Sequence, residues 1–325
     1  MITIFVRTPE GMKRHDGGHD LAIPPEATWI DLSSPTRDEE KAVEAVVGVN
    51  IPTREEMQEI ESSSRLRHED NGLFMTVQLV ANMTSPQPLT TPVTFILAGH
   101  RLITLRYADP LPFKVFGTYA QSHHAACATG ETAMAGLFEA VIDRLADVLE
   151  MAGQDVEAIS HEIFDRKRGG KRGSNRFRAV LQRIGRAGDV ASKARESVMS
   201  LSRAITFLGL VAPEVGGKKA KRDRLKTMAR DLQSLADYAN FISGKVTFLL
   251  DATLGMLSIE QNDIIKIFSI AAVIFLPPTL VGTIYGMNFE FMPELEWPFG
   301  YPMALLLMVI SAIIPWVYFK RKGWI

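Results

Sequence analysis

Residues Ile267–Phe289 read IFSIAAVIFLPPTLVGTIYGMNF, and Trp297–Phe319 read WPFGYPMALLLMVISAIIPWVYF. Each stretch is 23 residues long and carries no formal charge. A helix rising about 1.5 Å per residue spans about 34 Å over that length, enough to cross a hydrocarbon core of roughly 30 Å. Only the connector Glu290–Glu296 separates the two. So much apolar surface in adjacent helices is hard to bury in one modest soluble core, and the pair predicts two membrane-spanning helices. The flanks orient them. Lys266 precedes the first span and Lys320, Arg321 and Lys322 close the second, whereas the connector carries Glu290, Glu294 and Glu296 and no Lys or Arg. Positive charge stays inside, which predicts a multi-pass protein of the inner (plasma) membrane with both termini cytoplasmic and the acidic connector outside. Trp297 and Tyr301 at one end, and Trp316, Tyr318 and Trp324 at the other, suit the interfacial aromatic belts.

Upstream of Lys266 the chain reads as an ordinary charged soluble protein. Across all 325 residues, 36 Lys and Arg balance 37 Asp and Glu, and a net charge of −1 gives no reason to expect a nucleic-acid partner. A lone cysteine, Cys127, excludes an intramolecular disulfide framework and a cysteine-cluster metal site. The first residues, Ile2–Arg7, read as a β-strand and not as a secretory signal. Further β-prone runs fall at Thr28–Leu32, Leu73–Ala81, Val93–Ala98 and Leu102–Tyr107, with helical stretches such as Arg37–Val47 and Thr53–Ser62 between them. From about Thr132 the pattern turns helical, in segments Thr132–Arg168 and Asn175–Leu210 parted by the Gly169–Ser174 turn. From Lys221 no proline interrupts the chain before Pro277, so one very long helix is expected to run into the membrane.

The expected fold is therefore an α+β membrane protein. Its parts are an N-terminal α/β cytoplasmic domain over 1–125 and a long-helix region over 126–220. A helical stalk over 221–266 continues into the first of two C-terminal transmembrane helices, 267–289. The external loop 290–296, the second transmembrane helix 297–319 and a basic cytoplasmic tail 320–325 complete it. No nucleophile–base constellation and no glycine-rich phosphate loop is present, which argues against an enzyme. The adjacent His123 and His124 suit a surface loop better than a metal site. The basic run Lys218–Lys226 reads as a solvated helix start.

Within the first span, Asn262, Ile265, Ser269, Ala272, Leu276, Thr279, Thr283 and Gly286 alternate spacings of three and four. Most are small or hydroxylated, while the bulky Ile267, Ile270, Val273, Ile274, Phe275, Leu280, Val281 and Ile284 lie on the other faces. Such a stripe has two readings: close helix–helix packing through small residues, or the wall of a water-filled lumen in a symmetric ring. Pro277 and Pro278 remove backbone donors, and carbonyls freed in lipid must find a partner or water. Periodicity alone leaves both readings open.

The outer end of the span carries Tyr285-Gly286-Met287-Asn288, then Phe289-Glu290-Phe291-Met292-Pro293-Glu294-Leu295. Together with Ile259–Asn262, Phe275–Leu280 and the terminal Phe319–Ile325, this resembles the CorA family of Mg²⁺ and Co²⁺ transport proteins, whose signature is Gly-Met-Asn at the end of the first of two C-terminal spans. The resemblance implies a homopentameric funnel in the lipid bilayer that admits divalent cations: Mg²⁺, which is both transported and regulatory, with Co²⁺ as alternative substrate and Ni²⁺ a further one. It implies a selectivity filter at Gly286, Met287 and Asn288 and polar stations at Thr279, Asn262 and Asp251. It also implies apolar constrictions at Leu276 and Phe268 and a basic collar of Lys266, Lys320, Arg321 and Lys322. Glu290, Glu294 and Glu296 either concentrate cations outside or simply obey the topology rule. The family's gating by intracellular Mg²⁺ needs carboxylates across a subunit boundary. The expected sensor position falls near Thr227, which leaves Asp223 and Asp231 as regulatory-metal candidates. Two other readings fit the same architecture: a proton-coupled Zn²⁺ transporter, and a membrane-anchored sensor that conducts nothing.

Overall fold

The computed structural model describes all residues except 9–10, 19, 21, 70, 84, 86–87, 165–173, 212–218, 289–291, 294–296 and 325. The described chain divides into two compact units, Met1–Leu250 and Asp251–Ile325.

The first unit is built on seven strands: β1 (Ile2–Thr8), β2 (Gly11–Gly17), β3 (Ala27–Ser33), β4 (Leu66–Glu69), β5 (Gly72–Ala81), β6 (Leu89–Ala98) and β7 (Arg101–Arg106). They form one sheet in the order β2-β1-β3-β7-β6-β5-β4. Every neighbouring pair is antiparallel except β3 and β7. The central strands are apolar on both faces because both faces are covered. Ile4, Ile30, Ile96 and Ile103 pack on one side with Val43 of α1 (Arg37–Val47) and Met57 of α2 (Arg54–Gln58). Phe5, Trp29, Met75 and Phe95 face the other side, with α4 (Leu111–Ser122), α5 (Gly130–Phe164) and α6 (Ser174–Val211). A short helix, α3 (Ser62–Arg65), leads into β4.

Local signals set the helix starts. Thr36 and Glu39 form a reciprocal capping box on α1, and Thr53 and Glu56 form another on α2. Gly48 ends α1 at φ 75°, a conformation that favours glycine. At Gly130 the Cα lies so close to β7 that an added Cβ would stand 2.4 Å from the Arg101 carbonyl carbon. Only glycine lets α5 start there, with its amide donating to the His100 carbonyl at 2.8 Å.

The long helix α7 (Lys219–Tyr285) belongs to both units. In the first, Met228, Leu232, Ala239, Ile242 and Leu249 are buried in the core shared with α5 and α6, with Leu235 and Val246 half-buried in the same row. Arg224 forks onto Glu139 of α5 at 2.5 and 2.6 Å, and Lys245 pairs with Glu157. In the second unit α7 is followed by α8 (Gly300–Arg321). Both helices contain segments long and apolar enough to cross a membrane, and only 6% and 11% of those segments is buried. A soluble core would hide such surface, so the apolar exteriors match lipid.

Candidate ion pathway

α7 continues without interruption through Pro277 and Pro278. Their missing N–H groups leave the carbonyls of Val273 and Ile274 without the usual helical donor. The hydroxyl of Thr279 donates to the Leu276 carbonyl and that of Thr283 to the Thr279 carbonyl, both at 2.8 Å. These bonds let two hydroxyls sit in an apolar span without an unsatisfied proton, while their oxygens can still accept.

The position of α8 divides the faces of α7. The helices meet at Gly282, where a Cβ would stand 3.3 Å from the Met308 side chain, and on the same side Lys266 reaches the tail that follows α8, its ammonium 5.2 Å over the Trp324 ring. The less exposed residues of α7 in this unit include Ile270, Ile274, Pro277, Pro278, Val281 and Tyr285. By contrast Asn262, Ile265, Ser269, Ala272, Leu276, Thr279, Thr283 and Gly286 are all exposed. At about 100° per residue these two rows centre on opposite sides of the helix. The small and hydroxylated stripe therefore points away from α8.

Asp251, exposed, lies on the same side at the start of this unit, and Phe268 (71% exposed) flanks the stripe beside Leu276 (68% exposed). The helix ends at Tyr285. Gly286 then donates to the carbonyls of Gly282 at 3.0 Å and Thr283 at 3.2 Å, and the Met287 amide donates to Ile284 at 3.2 Å. A Cβ on Gly286 would press to 3.1 Å from the Gly282 carbonyl oxygen. The closing turn thus leaves the Met287 and Asn288 side chains exposed. Glu290, Glu294 and Glu296 lie outside the described residues.

The basic residues gather at the other end of the span. Lys322 sits 5.0 Å over Trp324 and 5.5 Å over Tyr318, and Lys320 sits 4.8 Å over Trp316. Lys266 is thereby turned toward the tail and off the stripe. Arg321 is exposed.

The regulatory candidates belong to the first unit. Asp223 and Asp231 are both exposed, and the Thr227 hydroxyl is spent on the Asp223 carbonyl at 3.1 Å. Asp231 belongs to an acidic patch that sequence reading did not assemble. Partial desolvation raises the Asp143 carboxyl above its ordinary range, and Glu139, Asp147 and Asp231 push it the same way. The signal was present as Glu139, Asp143 and Asp147, one helical turn apart on α5; only the packing of α7 adds Asp231. Among the described residues, no group of three or more His, Cys, Asp or Glu side chains is placed to hold a metal ion within one chain.

Comparison with known proteins agrees with this architecture. The family model described as CorA-like Mg²⁺ transporter protein matches residues 25–321. The chain is 36% identical over 299 residues to the magnesium transport protein CorA of Escherichia coli K12, covering 92% of both chains. It is 35% identical over 300 residues to the protein of that name from Salmonella typhimurium, again covering 92% of both. In fold it is similar to the complete structure of the CorA magnesium transporter of Methanocaldococcus jannaschii, with a TM-score of 0.78 and 17% identity over 100% of this chain and 99% of that one. This chain belongs to the CorA-like Mg²⁺ transporter family.

Proposed function

We propose that the protein carries Mg²⁺, with Co²⁺ and Ni²⁺ as further substrates, into the cell through a pore lined by the α7 stripe of several identical chains. One observation carries this reading: the small, hydroxylated row from Asn262 to Gly286 is exposed and lies opposite the side of α7 that meets α8. A stripe used only to pack α7 on α8 would face α8. Around a symmetry axis, the same stripes face a common centre and the α8 helices form an outer ring. The relatives' name as magnesium transport proteins supports the choice of ion, and the pentameric ring is the assembly the family resemblance implies.

The chemistry suits Mg²⁺, which demands octahedral oxygen ligation and sheds water reluctantly. Neutral amides of Asn288 and backbone carbonyls near Gly286 would hold the hydrated ion through its waters. Thr279, Asn262 and Asp251 follow as weak serial stations, and conduction needs binding that also releases. Rings of Leu276 and Phe268 would close the path by dewetting. A basic collar of Lys266, Lys320, Arg321 and Lys322 would mark the cytoplasmic end, and the preference of positive charge for the inside supports both termini there. Gating follows from carboxylates that face a neighbouring chain, with Asp223 and Asp231 as the candidates. Intracellular Mg²⁺ neutralises them and holds the chains in a closed arrangement; its loss lets them part.

Cysteine accessibility tests the pathway. With Cys127 replaced by alanine, Thr279→Cys and Thr283→Cys should react with a membrane-impermeant thiol reagent and lose flux, while Val281→Cys should be protected. Reaction at Val281→Cys with protection of both threonine positions would contradict the assignment of the stripe to the pore.

A further inference from the structure

β3 and β7 run parallel side by side, in register from Trp29 opposite Leu102 to Ser33 opposite Arg106. The helices that follow them leave for opposite faces of the sheet. α1, after β3, sends Val43 into the layer of Ile30 and Ile103. α4, after β7, sends Phe113 and Phe116 into the layer of Phe5 and Trp29. Where neighbouring parallel strands part in this way, a crevice opens beyond their carboxyl ends, and ligands of open α/β sheets bind in such crevices. A cavity of about 680 Å³ occupies that place in the first unit, a size within the roughly 300–1,000 Å³ of small-molecule sites.

The walls are selective for charge. Pro110, Leu111 and Lys114 bring the first turn of α4, whose N-cap, Pro110, makes no side-chain cap. Pro112 has no N–H and the Phe113 amide donates to the Pro110 carbonyl at 3.1 Å, so what this turn offers an anion is the positive end of the helix dipole. Both wall carboxylates are already engaged. Asp31 takes Nε and Nη2 of Arg106 at 3.0–3.2 Å, and Asp109 takes its Nη1. Arg14, also on the wall, is bonded to Asp16 at 3.0 Å, and the Met1 amine to Glu39 at 2.8 Å. Lys114 and Arg144 remain. Both line the cavity, and neither side chain has a carboxylate partner among the described residues. Arg144 is half-buried, and no described carboxylate competes with a bound anion for its planar guanidinium.

We propose that this crevice binds a small phosphate-bearing anion, clamped between Arg144 and Lys114. A planar guanidinium and an ammonium together match phosphate oxygens. The site is independent of the ion pathway, and its test reads binding without flux. Full-length protein in Mg²⁺-free detergent solution is titrated calorimetrically with inorganic pyrophosphate and, separately, with adenosine diphosphate. The expected result is saturable binding of one anion per chain, weakened at least tenfold in Lys114→Gln/Arg144→Gln and partly retained in Arg144→Lys, all with unchanged thermal midpoints. Tighter binding of pyrophosphate would identify an inorganic ligand, and tighter binding of the diphosphate ester an organic one. Absence of saturable binding, or equal affinity in the double variant, would overturn the assignment.

Discussion

One helix meets two fates in this molecule. In the first unit α7 presents Met228, Leu232, Leu235, Ala239, Ile242, Val246 and Leu249 at alternating spacings of three and four, and its own chain covers that row. In the second unit it presents Asn262, Ile265, Ser269, Ala272, Leu276, Thr279, Thr283 and Gly286 at the same spacings, and its own chain leaves that row bare. The period is shared; the chemistry is not. A large apolar row gains by being buried, roughly 25 cal/mol for each Å² removed from water. A row of hydroxyls and small side chains loses little by facing water. The difference teaches that periodicity locates a functional face, while side-chain size and the position of the neighbouring helix decide what that face does.

The comparison breaks first at its buried end. Leu232 is fully buried, and Leu232→Ala should cost about 2–5 kcal/mol through lost transfer energy and the cavity left behind. Denaturation of the detergent-solubilised protein reads this, and a midpoint equal to wild type would mean the row is not core. At the bare end the opposite split is expected. Thr283→Ile should leave the midpoint unchanged and reduce Mg²⁺ flux about tenfold, equivalent to about 1.4 kcal/mol of added barrier. A large stability loss with intact flux would make the stripe a packing surface after all. Asp251→Ala should change flux by only a few-fold, because the proposed carboxylate ring at the inner mouth would concentrate ions without selecting them. Complete loss of transport there, with normal assembly, would rank the stations in the reverse order.

The smallest effect concerns pH. The raised folded-state value of Asp143 means that the folded chain holds that proton more tightly than the unfolded one. Ionising Asp143 therefore costs stability as pH climbs above the ordinary carboxylate range. Asp143→Asn should raise the thermal midpoint slightly at pH 7, and the gain should fade as pH falls through the ordinary Asp value of about 3.9, below which the wild-type carboxyl becomes neutral in both states. A gain that persists at low pH would point to packing instead of charge.

The sequence reading located β1, β3, β5, β6, β7 and the long helices because each carries its own pattern: apolar runs where both sheet faces are covered, and three-four spacing where a helix is half-buried. It passed over β2 and β4. Those strands read Gly11–Gly17, with Lys13, Arg14, His15 and Asp16, and Leu66–Glu69. Both are edge strands with exposed polar positions, held by pairing to β1 and β5, and such non-local pairing leaves no period-two signature. The close approach of Gly130 to β7 was equally silent, since one glycine among 24 says nothing about what stands 2.4 Å from its missing Cβ. In the candidate ion pathway, the stripe was legible but its direction was not. That depended on which side of α7 meets α8, fixed by contacts such as Gly282 with Met308. The turn holding Gly286 was marked by its residues alone, and its role rests on family resemblance.

The central claim is that Asn288, exposed beyond the last turn of α7, selects the ion. The direct measurement is Mg²⁺ influx into proteoliposomes prepared free of internal Mg²⁺, with wild type and Asn288→Ala compared at equal incorporation. Influx in the wild type that disappears in an assembled Asn288→Ala protein is the result predicted. Equal influx in both would contradict the filter assignment, and wild-type entry of Zn²⁺ but not Mg²⁺ under a proton gradient would contradict the choice of ion.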